Sequence, residues 1–552
     1  MSDNTKVAKH PKGLYILFTT EMWERFGFYL MVGIFFLYMT DTLAHGGRGF
    51  ASAKATDIVG TYVALVYLSP FIGGLIADRI LGYRKSILIG GLLMSFGYFG
   101  LAVSDDTTMY ISCLLIIIGN GFFKPNISTL LGNMYNEDHL KPLKDSAYNI
   151  FYMGVNTGAF FCNFVAAYLR NNYGWGYAFA SAGVGLLIAV SWFLYGMKHV
   201  AHADIIKPKN KDDMPVSRVL LYVFLPALLF GAIGWFIPGK MMGSDSNDAF
   251  MFACIPITVF YGSLFFKASK EDKRGVGALL AFFVVAIIFW IIYNQNATGL
   301  TIWADTYTDR SMSPGIEKAV APFHFVQVVN TDPHNVQQLD QFFRPQVDAT
   351  GHAMTTLGVD PYFQNLPKEK WPPPGQDLKL VSAELFQSIN PFFIVLFTPI
   401  VVWIFGWFIR RGKPLSTPVK LVYAMLFTAL SALVMVAAVH STNIYADKTQ
   451  AFWLVSSYAI FTIGELLISP IGLSMVSKLA PQRLTALMMG GWFLSTSLGG
   501  KFSGMLASNW GNFEDKAAYF WILTALCIVA AIGMFLMVKW LKEIIYERTG
   551  NY

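Results

Sequence analysis

The stretch "TTEMWERFGFYL", residues 19–30, places the ionisable side chains of Glu21, Glu24 and Arg25 inside an apolar segment. The sequences on either side, "GLYILF" and "MVGIFFLYM", are of the kind that enters a lipid bilayer. At about 100° per residue, the three side chains lie within about 100° of arc on one helical face. A charge at the bilayer centre costs roughly 2.5–3.5 kcal/mol. This face therefore predicts a helix that turns its charges toward a protein interior or a wet cavity.

The composition extends this interpretation to the whole chain. Of its 552 residues, 55% are hydrophobic and only 14% are charged, which is rare in soluble proteins. Apolar runs of about 20 residues, each long enough to span a bilayer, recur along the chain. They predict an all-α polytopic membrane protein with fourteen transmembrane helices, at about 13–39, 54–79, 84–103, 109–130, 146–171, 175–196, 217–237, 249–268, 277–303, 384–410, 417–440, 451–478, 482–508 and 518–542.

The loops predict the orientation. Lysine and arginine precede span one and follow spans two, four, six, eight and ten, whereas the alternate loops near 104–108, 171–174 and 440–450 are poor in them. The positive-inside rule then places both termini in the cytoplasm. Because the basic residues lie in short loops between spans, the net charge of +7 does not indicate nucleic-acid binding.

Residues 305–383 form a polar, proline-rich loop on the outer side. A loop of this length is usually either specialised or partly disordered. Its apolar pairs Phe323–Phe325 and Phe342–Phe343 could support a small folded cap, and composition leaves both alternatives open.

The spans lack the side-chain patterns of an enzyme. The sequence has no HExxH motif, and His199 and His440 lie only at span ends. The four cysteines lie in apolar runs, which predicts small buried packing residues rather than disulfides or metal ligands. These features argue against an enzyme, and the absence of repeated filter residues argues against a channel.

Two carboxylates beside one guanidinium make a plausible proton site. Glu21 and Arg25 are four residues apart and can pair within the helix, which leaves Glu24 to titrate or to pair elsewhere. Burial favours the neutral carboxylic acid and a neighbouring arginine favours the carboxylate, so movement of the arginine could release or capture a proton. The alternative is an ion-pair network that only fixes helix packing.

Other polar groups also lie inside predicted spans. Lys124 is in "GNGFFKPNIS" and Glu465 in "FTIGELLISPIG", whereas Asn156 and Asn390 are equally compatible with hydrogen bonds between helices. Glycines and prolines near these groups are expected to loosen the helices, as at transporter sites: Gly119, Gly121, Pro125, Pro470 and Gly472. The segment "GGLIADRILGYRK", residues 73–85, ends span two with Asp78, Arg79, Arg84 and Lys85. We interpret it as a closure between cytoplasmic helix ends.

Together these segments resemble the proton-dependent oligopeptide transporter family of the major facilitator superfamily. "EMWERFGFY" resembles the family's ExxERFxYY motif, and "GGLIADRILGYRK" resembles the superfamily's loop signature. "FYMGVNTGAFF", "FKPNIS", "FQSINP" and "GELLISPIGLSMVSKLAP" resemble further family segments in the expected order. The resemblance covers nearly the whole chain except residues 305–383.

The resemblance implies a major facilitator fold with an N-terminal six-helix bundle (1–200), two extra helices in a linker (201–275) and a C-terminal six-helix bundle (276–552). It implies a monomeric, multi-pass protein of the bacterial inner membrane that imports di- and tripeptides with protons by alternating access. No cofactor other than the coupling proton is expected. The alternative is a symporter of the same fold for another small anion or amino-acid conjugate, such as nitrate.

The resemblance also assigns residues. Proton coupling falls to Glu21, Glu24, Arg25 and Lys124, and substrate binding to Arg25, Tyr29, Tyr62, Tyr67, Lys124, Asn156, Asn294, Gln295, Asn390, Glu465, Ser469 and Trp492. Within that set, Arg25 and Lys124 would receive the peptide carboxylate and Glu465 the amino terminus.

The chain departs from the family pattern at three positions: Phe28 replaces the motif's first tyrosine, Asn294 an acidic residue, and Gly60 the histidine of animal members. Coupling is therefore expected to depend more heavily on span one. Asp305 is expected to pair with Arg48 as an outer gate.

Overall fold

The computed structural model describes residues 9–205, 218, 220–313, 315, 317–318, 325–349, 352–481 and 484–549. Within this part of the chain fifteen α-helices form fourteen spans, because α9 and α10 are two pieces of one span. The helices are α1 Lys12–Thr40, α2 Ser52–Ile76, α3 Tyr83–Leu101, α4 Asp106–Met134, α5 Lys144–Tyr173, α6 Trp175–Gly196, α7 Leu225–Phe236, α8 Asp245–Lys267, α9 Lys270–Tyr293, α10 Gly299–Thr306, α11 Ile389–Arg410, α12 Thr417–Ser441, α13 Ala451–Leu479, α14 Thr485–Ser508 and α15 Lys516–Thr549. Among the described helices, ten segments are long and apolar enough to cross a membrane by length and composition.

An even number of spans puts both ends of the bundle's chain on one side. We call the end that carries the start of α1 and the end of α15 the terminal face, and the opposite end the cap face. Helices α1–α6 form the N-half, α7 and α8 a hairpin, and α9–α15 the C-half. The halves meet along several helix pairs, of which α2 against α14 is the most extensive.

One span is broken where the sequence predicts continuity. A 3₁₀ turn over Asn294–Ala297 separates α9 from α10, and Thr298 has φ −131° and ψ −99°. Conversely, α4 runs unbroken through Gly119 and Gly121, so the expected loosening there is wrong. A Cβ on Gly119 would lie 2.6 Å from the Gly90 carbonyl oxygen, and one on Gly121 2.8 Å from that of Ser69. These glycines let helices approach closely rather than bend.

The described residues of the long polar loop between Tyr307 and Ser388 fold into a cap. Two antiparallel ribbons pair β2 (Val326–Val329) with β5 (Leu378–Val381) and β3 (His334–Gln337) with β4 (Thr355–Gly358). A small hydrophobic core packs beside the first ribbon: Val329, Tyr362, Phe363, Leu366 and Leu380. Of the two alternatives that composition left open, the described residues adopt the folded cap.

The aromatic pairs expected to support the cap do not form its core. Phe323 lies outside the described residues, and Phe342 and Phe343 pack on Tyr445 of the C-half, with ring centroids 5.8 and 5.6 Å away. This contact anchors the cap because Tyr445 belongs to the loop between α12 and α13.

The cap contacts both halves. Toward the N-half, the Gln337 side chain donates to the Thr40 carbonyl and the backbone N–H of Ala353 donates to Gly49 at 2.8 Å. Toward the C-half, Asn365 donates to the Ile444 carbonyl at 2.9 Å, and β1 (Thr308–Asp309) pairs with β6 (Thr449–Gln450). The cap therefore bridges the halves at the cap face.

The four cysteines are free thiols, and Cys113, Cys162 and Cys527 are buried in the helix packing. These three serve as small fillers, as the sequence predicts, whereas Cys254 is only partly buried.

Candidate functional site

The charged cluster of α1 is buried inside the bundle. Glu21, Glu24 and Arg25 are 4%, 1% and 3% exposed. Arg25 donates to both carboxylate oxygens of Glu24, with an Nη2–Oε1 distance of 2.6 Å, and its Nε lies 3.3 Å from Glu21 Oε1. The predicted Glu21–Arg25 pair is confirmed. The expectation that Glu24 is left over is wrong, because Glu24 is the closer partner.

Glu21 differs from Glu24 in its hydrogen bonding. Its Oε2 is buried and, among the described residues, has no hydrogen-bond partner. A buried polar atom without a hydrogen-bond partner costs free energy, and among the described residues this oxygen is the atom of the charged cluster that the fold leaves unsatisfied.

Lys124 of α4 lies beside the same cluster but faces aromatic rings. Its Nζ is 4.2 Å from the ring centroid of Tyr67 and 5.7 Å from that of Phe28. The Arg25 guanidinium is 4.8 Å from Phe28 as well. Among the described residues no carboxylate pairs with Lys124. Phe28, a departure from the family motif, thus provides one aromatic ring that both cations approach.

The anionic group of the C-half is Glu465 of α13, which is 6% exposed. Asn390 of α11 donates from Nδ2 to Glu465 Oε2 at 2.8 Å and to Thr462 Oγ1 at 3.0 Å. Asn390 therefore does hydrogen bond between helices, and it also orients the carboxylate. Ser469 lies one helical turn beyond Glu465 on α13.

Aromatic side chains fill the space between the two charged regions. Tyr29 of α1 interacts with Tyr293 of α9 through their hydroxyl groups. Tyr67 lies 6.4 Å from Trp290, and Tyr293 lies 5.9 Å from Phe461, one turn before Glu465. The charged cluster of the N-half, which includes Arg25 and Lys124, and Glu465 of the C-half are thus connected by a series of aromatic side chains. Tyr293, Phe461 and Thr462 were missed by the sequence analysis because they are ordinary span residues.

Two of the predicted substrate-binding residues make local hydrogen bonds to the backbone. Asn156 and Asn294 donate to carbonyls of their own helices, Tyr152 at 2.9 Å and Trp290 at 2.7 Å. The hydrogen bond between helices expected as the alternative for Asn156 is therefore absent from the described contacts.

Three more of the predicted residues lie in packed regions. Gln295, 1% exposed, donates to Ser503 Oγ at 3.0 Å and accepts from the Tyr519 hydroxyl. Tyr62 packs edge-on against Phe35, and Trp492 stacks on Phe282 at 5.5 Å. Only the fold reveals this, because tight packing joins residues distant in sequence.

The predicted outer gate does not form as expected. Arg48 pairs with Asp106 at the start of α4, whereas Asp305 pairs with Arg310 of the cap at 3.1 Å. Arg48 therefore pairs with a carboxylate of its own half, and Arg310 of the cap pairs with the carboxylate near the end of α10. A different pair joins the N-half to the cap at this face: Arg170 of α5 lies 3.0 Å from Glu384 of the cap.

The loop signature, residues 73–85, is held by a hydrogen bond and an ion pair at the terminal face. The Tyr83 hydroxyl donates to Asp78 at 2.7 Å, and Arg84 Nε lies 2.7 Å from Asp204 after α6. Arg79 lies in the π-helical turn Ala77–Leu81, and Lys85 is exposed. Asp204 was not anticipated, since its partner is 120 residues away in the sequence.

A cavity of about 840 Å³ lies at the cap face rather than beside the charged cluster. The cap lines it with Arg310, Gln337 and Asp360, and the N-half with Asp41 and Arg170. It is a vestibule with a mixed polar and apolar lining, enclosed by the cap, the N-half and α10.

Comparison with known proteins decides the family, because the profile of the POT family matches residues 84–331 and 378–536. The chain belongs to the POT family. The resemblance inferred from the sequence motifs is confirmed, and so is the polytopic helical fold.

Relatives match along nearly the full length. The "Dipeptide and tripeptide permease A" of Proteus mirabilis is 30% identical over 92% of this chain and 88% of its own. The "Di-/tripeptide transporter" of Lactococcus lactis subsp. cremoris is 29% identical over 88% and 87%. A crystal structure of "peptide transporter POT in complex with sulfate" shares 27% identity, covers 97% of this chain and 96% of its own, and superposes with a TM-score of 0.73. These relatives are transporters, which agrees with the argument against an enzyme.

Proposed function

We propose that this protein is a proton-coupled symporter that imports di- and tripeptides across the bacterial inner membrane by alternating access. The observation that carries the proposal is the arrangement of opposite charges on opposite halves. Arg25 and Lys124 lie on the N-half, Glu465 lies on the C-half, and aromatic side chains separate them. The names of the relatives point to the same cargo.

A zwitterionic peptide fits this arrangement chemically. Its carboxylate would bind Lys124, which has no carboxylate partner among the described residues, with Arg25 beside it. Its amino terminus would bind Glu465, which Asn390 holds in place. Tyr29 and Tyr67 would contact the side chains, and tolerant aromatic contacts suit a broad range of peptides.

The α1 cluster supplies proton coupling. When a peptide carboxylate draws Arg25 away, Glu21 and Glu24 lose their compensating charge and bind protons more readily. Glu21 starts with one unbonded oxygen and is therefore the first candidate. The proton is the only coupling agent in this proposal, and one chain contains both charged regions, so a monomer suffices.

The cap face would be periplasmic and both termini cytoplasmic. The basic loops support this orientation, since they follow the even-numbered spans at the terminal face. A carrier of nitrate or another small anion needs cationic side chains to bind its substrate, but a buried carboxylate such as Glu465 does not help it bind an anion. A site with both a cationic and an anionic group therefore favours a zwitterionic substrate.

The direct test is uptake of dialanine by purified protein in liposomes under an imposed inward proton gradient. We expect accumulation above equilibrium, abolished by a protonophore. Nitrate or acetylated dialanine serves as the competing cargo. Gradient-driven accumulation of nitrate without dialanine uptake would overturn the peptide proposal, and dialanine uptake that ignores the gradient would overturn proton coupling.

A further inference from the structure

An ion pair with a fully buried lysine joins the two halves near the cap face. Lys501 of α14 is 0% exposed, and its Nζ lies 2.7 Å from Asp57 Oδ1 of α2. The same ammonium donates to Thr61 Oγ1 at 2.7 Å and to Ser246 Oγ at 2.9 Å. All three donors of the lysine are therefore used, which is the condition for burying it.

Ser246 brings in a third element, the hairpin. It lies in the first turn of α8, and its hydroxyl lies 2.7 and 2.8 Å from the two carboxylate oxygens of Asp57. One serine thus contacts the charged residue of each half. N-half, C-half and hairpin meet at a single polar junction, which we call the Asp57–Lys501 junction.

The junction lies at the cap-face ends of its helices. Asp57 is five residues after the start of α2, and Lys501 is seven residues before the end of α14. At 1.5 Å per residue, both lie within about 11 Å of those ends. The α1 cluster and Glu465 lie in the middle of their helices, so the junction is separate from the proposed peptide site.

Close packing of α2 on α14 surrounds the junction. A Cβ on Gly60 would lie 2.7 Å from the Cα of Gly504, and a Cβ on Gly500 would lie 2.6 Å from Val63. Only glycine, whose side chain is a hydrogen atom, allows the two helices to approach this closely, as at other small-residue helix contacts in membranes. Opening the cap face requires these helices to separate, which must break the ion pair.

The hairpin follows the same seam to its other end. Phe224, in the turn before α7, stacks on Phe71 of α2 at 5.7 Å. The Tyr261 hydroxyl of α8 donates to the Leu487 carbonyl of α14 at 2.8 Å. The hairpin therefore contacts both α2 and α14 near the terminal face as well as at the junction.

We propose that the hairpin is a strap across the α2–α14 seam and that the Asp57–Lys501 junction is its latch, which holds the cap face closed. This goes beyond the proposed cargo and rests only on its alternating-access part. When the cap face opens, water replaces each charged group as the partner of the other. The ion pair therefore favours the closed cap face but does not prevent it from opening. Ser246 strengthens it through two hydrogen bonds that a moving half must give up.

The test measures a distance across the seam in the full-length protein in nanodiscs. Spin labels are placed at exposed Ala53 and Asn509 in a background with the four native cysteines replaced by alanine. Double electron–electron resonance then reports closed and separated populations without peptide or proton gradient. A wrong cargo assignment therefore leaves this result intact.

The informative variant is Asp57→Asn with Lys501→Met, because it removes both charges and leaves none buried alone. We expect the ratio of separated to closed protein to rise about tenfold, which corresponds to about 1.4 kcal/mol. Ser246→Ala should raise it less, and adding Ser246→Ala to the double variant should change little. Asp138→Asn, which removes an exposed pair with Lys141 at the terminal face, is the matched control.

Two results would overturn the proposal. A folded double variant with the wild-type distance distribution would show that the pair is not a latch. A shift in the double variant with none in Ser246→Ala would remove the hairpin from it. If the double variant does not fold, Ser246→Ala alone decides, since it leaves the ion pair in place.

Discussion

Arg25 holds its neighbour Glu24 through both carboxylate oxygens, whereas Glu21 shares the same guanidinium at 3.3 Å and keeps a buried oxygen without a partner among the described residues. The two glutamates of the motif are therefore not equivalent. Glu24 compensates the charge of Arg25, and Glu21 is the glutamate to which our proposal first assigns the exchanged proton.

Glu21→Gln should abolish gradient-driven accumulation of dialanine but preserve peptide-for-peptide counterflow, which needs no net proton movement. Glu24→Gln should also abolish accumulation, and it should lower the melting temperature as well, because it leaves Arg25 with a weaker partner in a buried site. Uptake, counterflow and thermal unfolding in detergent distinguish these outcomes. Normal accumulation in both variants would move the proton site elsewhere.

Glu465→Ala should weaken dialanine binding by about 2–5 kcal/mol, the cost typical of removing one partner of a buried charge pair. Binding of acetylated dialanine, which has no amino-terminal charge, should change far less. Calorimetric titration with both ligands measures the difference, and Thr462→Val, which removes the second acceptor of Asn390 but keeps the Glu465 carboxylate, is the comparison variant. An equal loss for both ligands would make Glu465 a packing or gating residue.

Lys448 should make the cap–C-half contact sensitive to pH. It lies in the loop between α12 and α13, where it donates to the Thr306 carbonyl and Asn365, and burial lowers its pKa to about 7. An unfolded lysine titrates near 10.4, so between about pH 7 and 10 the unfolded chain binds the extra proton. Stability should therefore rise with pH in this window.

The expected slope is up to about 1.4 kcal/mol per pH unit. Melting temperatures from pH 6 to 9 for the wild type and Lys448→Met measure it, with exposed Lys368→Met as control. A wild-type profile parallel to that of Lys448→Met would contradict a lowered pKa.

Replacing about 310–378 of the cap by a Gly/Ser linker should leave dialanine affinity within about threefold, under ~0.7 kcal/mol. The expected peptide contacts lie on α1, α4 and α13, outside the cap. Asp305 and the segment "SAELFQSINP" are kept because they end or begin helices. Uptake at several concentrations, after folding is verified, measures the affinity, and a folded deletion that no longer binds peptide would place the cap in the site.

The sequence by itself determined the spans, the charged face of α1 and the polar groups Lys124 and Glu465. These follow from local rules, since apolar length and the cost of a charge in lipid can be read from one helix at a time. The same rules could not reveal the break at Asn294–Ala297 or the fold of the cap. Those depend on contacts with other elements.

Tertiary structure alone decided the partners. Arg48 pairs with Asp106, Arg84 with Asp204, and Lys501 with Asp57, and the two partners of each pair are far apart in the sequence. Lys501 was not singled out beforehand, because one lysine near a helix end has no local signature. A buried charge is tolerated only where the fold supplies a counter-charge and donors or acceptors for every polar atom, and that supply exists only once the helices are packed together.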